Sequence, residues 1–174
     1  MWMKFLGVIA VATLALLAFA ATRPDSFRVE RSITINAQPE KIHAQINDFR
    51  NWAAWSPWEK MDSAMKKTFG GAAGGKGATY AWASDKVGHG SMEILESTAP
   101  GSVRLRLDFS KPFEAHNRVD FTVTPQGGAQ QVTWAMYGPS NFMTKLIHVF
   151  MPMDKMVGKD FESGLRDLKA TAEK

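Results

Sequence analysis

The sequence predicts an α+β domain in which a curved antiparallel sheet wraps around one long C-terminal helix. Two short helices follow the first strand, and a hydrophobic helix precedes the domain. Three observations carry that expectation. Between Ala78 and Tyr137 apolar residues recur at every second position, interrupted by turn-forming residues. From Phe142 to Leu168 they recur three and four apart. The length of 174 residues suits one domain of about 100–200 residues with an appendage. A sheet with one apolar face and a long amphipathic helix bury each other.

The appendage comes first. Phe5–Ala21 reads FLGVIAVATLALLAFAA, an uncharged run at the short end of the ~17–25 residues that span a bilayer. Trp2 stands where an interfacial anchor would. Two readings compete. A signal peptide would use Lys4, the apolar run and Ala18-Phe19-Ala20 as its small-residue cleavage site. A retained anchor would exit at Arg23-Pro24. The run exceeds the ~7–15 residues of a signal-peptide core and has no distinct polar stretch before the cut, which favours the anchor. The expected division is therefore an anchor or signal segment at 1–23 and a domain at 24–174. Lys4 and the free amine favour a cytoplasmic N-terminus, a bias that Arg23 weakens. Both readings place the domain outside the cytoplasm, tethered to the inner membrane or released after cleavage.

Within the domain, Phe27, Val29, Arg31, Ile33 and Ile35 share one parity and predict a strand over 27–35. Arg31 interrupts the apolar set, as a strand at an edge would allow. Pro39 suits a first helical position, and Ile42, Ile46 and Phe49 continue with helical spacing. Trp52 and Trp55 are three apart, Ser56-Pro57 breaks the helix and Trp58 follows. This is the densest aromatic cluster in the chain, suited to core packing or to the wall of an apolar pocket. Residues 70–77 (GGAAGGKG) lack the spacing and the Ser/Thr of a phosphate loop and read as a flexible hairpin loop.

Candidate strands follow at 78–84, 89–97, 102–109, 114–124 and 130–137, a run of about five or six strands after the first strand and the two short helices. Their inward sets are Tyr80/Trp82, Met92/Ile94, Val103/Leu105/Leu107/Phe109, Val119/Phe121/Val123 and Val132/Trp134/Met136. Arg104, Arg106, Asp108, Arg118 and Asp120 have the opposite parity and face water. In the closing helix, over 142–172, Pro152 should introduce a kink or a split. Gly158 and Gly164 are small positions suited to close approach to the sheet. Met143, Met151, Met153 and Met156 suit either a core or an adaptable cavity.

Composition removes several function classes. Hydrophobic residues are 45% and charged residues 22% of the chain, which excludes wholesale disorder. Cysteine is absent, which removes disulfides, thiolate nucleophiles and Cys-ligated metals. The net charge is +4, but two of the 21 basic residues (Lys4 and Arg23) fall in residues 1–23, which hold no acid. The remaining 19 face 17 acidic residues, without the clustering of a nucleic-acid footprint. None of the four His pairs at a metal-ligand spacing, so neither a metal nor another cofactor is expected.

The element order resembles the SRPBCC or START-like superfamily, the helix-grip fold, and within it the bacterial polyketide cyclase/dehydrase-type proteins. The resemblance covers about residues 27–172. It rests on FRVERSITINAQPEKIHAQINDFRNWAAWSPW, GSMEIL, KPFEAHNRVDFTVTP, VTWAMYGP and MDKMVGKDFESGLRDLK. It implies a cavity between sheet and long helix that takes apolar small molecules or lipids. Carried onto this chain, that cavity is lined by Trp52, Trp55, Phe109, Phe121, Trp134, Met136, Phe150, Met153 and Phe161.

His116 is the best-placed candidate base, with Glu114 on the same strand parity as a possible orienter. That parity opposes Val119, Phe121 and Val123, so the pair faces solvent unless a bulge reverses it. Asn117 has the inward parity and offers one polar contact in an apolar pocket. The favoured reading is a membrane-tethered, extracytoplasmic, non-catalytic binding module for a lipid or other hydrophobic molecule. One alternative is a cyclase, dehydratase or hydrolase using His116 or a cavity carboxylate. Another is a protein-interaction or stress-related module.

Overall fold

The computed structural model describes residues 2–174. Helix α1 spans Trp2–Ala21, and strand β1 spans Ser26–Ile35. Helix α2 (Pro39–Asn47), a 3-10 helix (Phe49–Ala54) and α3 (Trp58–Met61) follow. The strands are then β2 (Lys66–Gly71), β3 (Ala78–Ser84), β4 (Gly88–Thr98), β5 (Ser102–Lys111), β6 (Ala115–Gln126) and β7 (Ala129–Pro139). Helices α4 (Phe142–Phe150) and α5 (Met153–Ala172) close the chain.

Strands β2 to β7 form a meander, and β1 returns to pair with β7, giving the order β1-β7-β6-β5-β4-β3-β2 with every pair antiparallel. Register shifts in the β4–β5 pair, at His89/Gly90 and Ile94/Glu96, add local twist to the sheet. Short turns fix the register, and the expected inward sets fall on one face. Val103, Leu105, Val119, Phe121, Val132 and Trp134 are all buried. The opposite face is a charge ladder: Arg104 pairs with Glu96 (3.0 Å) and Asp120 (3.3 Å), and Arg106 with Glu93 (2.6 Å) and Asp108 (2.9 Å). This is the curved sheet around a C-terminal helix that the sequence predicts.

One strand differs from expectation, and the break expected at Pro152 takes one of its two forms. Lys66–Gly71 forms a strand that no candidate covers, pairing with β3 ahead of the expected loop and bringing the sheet to seven strands. Strand β2 is exposed at every position, so no alternation announces it. Gly71 ends it at φ 66°, where a Cβ would stand 2.0 Å from the Gly77 carbonyl oxygen, so this turn requires glycine. The closing helix is split rather than kinked: Pro152 is the residue before α5 and has an extended ψ, so the chain turns there. Helix α5 packs on β1, β7 and α2, whereas α4 packs against α1.

Helix α5 buries Gly158, Phe161, Gly164, Leu165 and Leu168. At the edge strand β1, Arg31 reaches across to α5. Its Nη1 and Nη2 donate to Asp154 (2.8 and 3.1 Å) and its Nε to Glu162 (2.8 Å). A Cβ on Gly158 would lie 2.3 Å from Arg31 Nη2, so this small residue makes room for the fork.

Candidate functional site

The space between sheet and α5 is occupied by aromatic rings in contact. Phe161 stacks on Trp134 with centroids 4.2 Å apart and planes 8° apart. Phe121 stacks on the neighbouring side of Trp134 at 5.0 Å, matching their direct register across β6 and β7. Trp55 and Trp58 meet Trp134 edge-on at 5.5 and 5.6 Å, and Trp52 lies 4.7 Å from Trp55.

The 3-10 helix holds two of these indoles through backbone acceptors left free at the end of α2. Trp52 Nε1 donates to the Ile46 carbonyl (3.0 Å) and Trp55 Nε1 to that of Gln45 (3.1 Å). Asp48 starts this segment by accepting from the Arg50 backbone N–H at 2.9 Å. Trp134 is different. Its Nε1 is buried and has no hydrogen-bond partner among the described residues. A donor left in that state costs about 1–3 kcal/mol.

Of the expected lining residues, Trp52, Trp55, Phe121, Trp134, Met136 and Phe161 are buried on the inner face. Phe109 and Met153 are half-buried and pack against the core. Phe109 meets Trp82 rather than Trp134, at 5.6 Å. Phe150 does not line the interior: it is 68% exposed, because the split at Pro152 assigns it to α4. Asn117 is buried and inward, but it sits four residues along β6 from Phe121, roughly 13 Å away, and so is not beside the Trp134 cluster.

His116 lies on the outer face. Its ring is 64% exposed and bonds Asp108 through Nδ1 (2.8 Å) and Glu114 through Nε2 (3.3 Å). No bulge reverses the strand, and His116 stands opposite Asp108 in regular register. These carboxylates, Asp108 first, hold the imidazolium above its ordinary pKa. A cavity base is thus not what this residue supplies. Among the described residues, no group of three His, Asp or Glu side chains is arranged to hold a metal ion.

Sequence reasoning missed two features. Trp58, although part of the Trp cluster, was separated from it by Ser56-Pro57; in the structure it packs on both Trp134 and Phe161. Glu59 carries a side chain only 7% exposed, pairs with Lys67 and accepts from the Tyr80 hydroxyl at 2.5 Å. Burial, then Glu59, pushes the Tyr80 phenol well above its ordinary pKa, so it remains a donor. The separation of 21 positions between Glu59 and Tyr80 left no local signal for this pair.

The comparisons agree with this architecture. The fold resembles the solution structure of the Aha1 dimer from Colwellia psychrerythraea (TM-score 0.59, 15% identity, 84% of this chain and 96% of that one). It also resembles ginseng major latex-like protein 151 from Panax ginseng (TM-score 0.60, 15% identity, 86% and 99%). A third likeness is to DynU16, a putative protein of the dynemicin biosynthetic locus (TM-score 0.56, 13% identity, 85% and 47%). At these identities the likeness is one of fold. No curated protein matches the chain significantly. The family model described as "Polyketide cyclase / dehydrase and lipid transport" matches residues 26–173, nearly the whole domain, and the chain belongs to that family.

Proposed function

We propose that this protein is a non-catalytic binding module for a hydrophobic small molecule or lipid, held between the sheet and α5 and tethered outside the cytoplasm by α1. The observation that carries the reading is the unpartnered Trp134 Nε1–H, buried among Trp52, Trp55, Trp58, Phe121 and Phe161. A wall of rings supplies apolar contact, and one oriented donor selects a ligand with an acceptor atom. Since the rings touch, a ligand enters by displacing side chains. Half-buried Trp58 beside α5 and half-buried Met153 and Val157 on α5 border the way in, and Met153 adapts at low cost. The family description, which includes lipid transport, supports the same class of ligand. The tether rests on α1, whose segment Lys4–Ala21 is long and apolar enough to cross a membrane, as a signal sequence also is. The outward orientation rests on Lys4 and the amine.

The test uses the full chain in nanodiscs with indole nitrogens labelled, titrated with oleate and with farnesol. A shift of the Trp134 indole resonance, together with a raised Tm, is expected for at least one probe. An unmoved Trp134 resonance and an unchanged Tm across a panel of fatty acids and isoprenoids would reject this reading.

A further inference from the structure

Helix α4 is built the wrong way round for a helix facing water. Its outer stripe is Met143, Ile147 and Phe150, spaced i, i+4 and i+7, with exposures of 61%, 36% and 68%. Met151, 55% exposed, extends it. The basic groups lie on the protected side. Lys145 is only 11% exposed and holds Asp25 at 2.5 Å, and the half-buried His148 packs edge-on against Phe27 at 5.8 Å. Asp25 also accepts the Ser140 backbone N–H at 2.7 Å, so the linker and the start of α4 are pinned together. The apolar stripe is therefore presented by a fixed helix whose charged side is already satisfied.

The neighbour of this helix indicates what covers the stripe. Helix α1 packs on α4, and among its described side chains the protected ones are Leu16, Leu17 and Ala20 near its C-terminal end. At about 1.5 Å per residue, Leu16 lies roughly 8 Å inside the Ala21 end. An amphipathic helix lying in a membrane surface sits about 5–10 Å into the headgroup boundary. The two depths agree. The sheet contributes a further contact, because its antiparallel order brings the start of β1, the end of β7 and the β5–β6 turn to the same end of the domain. That turn presents Phe113, 72% exposed, beside Lys111.

We propose that α4, together with Phe113, rests in the outer surface of the lipid bilayer that α1 crosses, so that the domain lies against the membrane rather than hanging from it. The inference rests on α1 being retained as an anchor, and is independent of whether the aromatic interior takes a ligand. It places Met151–Met153, which lead into α5, at the lipid surface.

The absence of native cysteine makes the test direct. Full-length chains carrying Met143→Cys, Ile147→Cys, Phe150→Cys or Phe113→Cys are labelled with a polarity-sensitive fluorophore. They are reconstituted into phosphatidylcholine–phosphatidylglycerol vesicles, with Gln126→Cys, at the opposite end of the sheet, as comparison. The four sites are expected to show blue-shifted emission, loss of iodide quenching and quenching by lipid-borne nitroxide, while position 126 remains open to iodide. Iodide quenching at 143, 147 and 150 in a chain that floats with the vesicles would overturn the proposal and leave the anchor standing. A chain that fails to float would overturn both. Protection from iodide without nitroxide quenching would mean that a protein surface covers α4, and would also overturn it.

Discussion

Trp134 and Phe161 lie face to face, 4.2 Å between ring centroids and 8° between planes, and through this pair the sheet and α5 share one core. Trp134 is 2% exposed and Phe161 1%. Truncation at such a site removes transfer free energy and leaves a cavity. Trp134→Ala is expected to destabilise the protein by about 3–5 kcal/mol, measured by urea unfolding followed through the other indoles. A loss below about 1 kcal/mol would mean that the ring is not part of a packed core. Trp134→Phe keeps an aromatic partner for Phe161 and removes the unpartnered donor, so it should cost clearly less than the alanine variant.

Gly164 faces the same ring from α5. An added Cβ would stand 2.8 Å from Trp134 Cζ3 and 3.0 Å from Pro57 Cδ. Alanine favours a helix by up to about 1 kcal/mol over glycine, but here the backbone approach is too close for its methyl group. Gly164→Ala is expected to lower stability, by about 1–3 kcal/mol, in a thermal or denaturant melt. A rise in stability would show that the helix relaxes away from Trp134 without loss.

The strand pattern was legible because alternation and turn residues are local. Ala78–Ser84 is a strand with the bounds that its sequence predicts, and Trp134 has the inward parity assigned to it. Strand β2 was not legible, because its sequence KKTFGG carries one apolar side chain, Phe69, and so no alternation. The fate of Phe150 depended on whether Pro152 bends the helix or divides it, and the helical period on either side is the same for both. The site was legible as a set of rings, but their mutual contact was not. Parity shows which way Trp52, Trp55 and Trp134 point and leaves open how far the sheet closes on α5.

Arg31 links the edge strand to α5 through two carboxylates, and the link carries a pH signature. Hydrogen bonding to Arg31 holds the Asp154 carboxyl below its ordinary value of 3.8. A carboxyl lowered on folding contributes stability that is present above its unfolded pKa and is lost as pH falls through the folded one. Asp25, Asp62 and Glu173 are lowered in the same direction. The Tm is therefore expected to decline on acidification from about pH 5 downward. Asp154→Asn should lower Tm at neutral pH and make the decline shallower. An unchanged slope in that variant would show that the Arg31 fork adds nothing to acid sensitivity.

His116 and His43 should titrate on opposite sides of the ordinary value of 6.5, for opposite reasons. Asp108, then Glu114, stabilise the His116 imidazolium on the open face of the sheet. Burial disfavours the charged form of His43, which is 7% exposed on α2. Ser97 donates its hydroxyl proton to Asn47 (2.6 Å) and so accepts from His43 Nε2 (3.1 Å), which fixes the neutral tautomer. The linkage signs follow. The contribution of His116 is complete below its unfolded pKa and fades as pH rises through the raised folded value. Neutral His43 favours the fold above its own unfolded pKa, and that advantage fades as pH falls through the lowered folded value. Ring-carbon NMR titration is expected to find His116 above 6.5 and His43 below it. In Asp108→Asn the His116 midpoint should fall while that of His43 stays in place. A His116 midpoint unmoved by this substitution would remove Asp108 as the cause and leave Glu114 as the stabilising carboxylate.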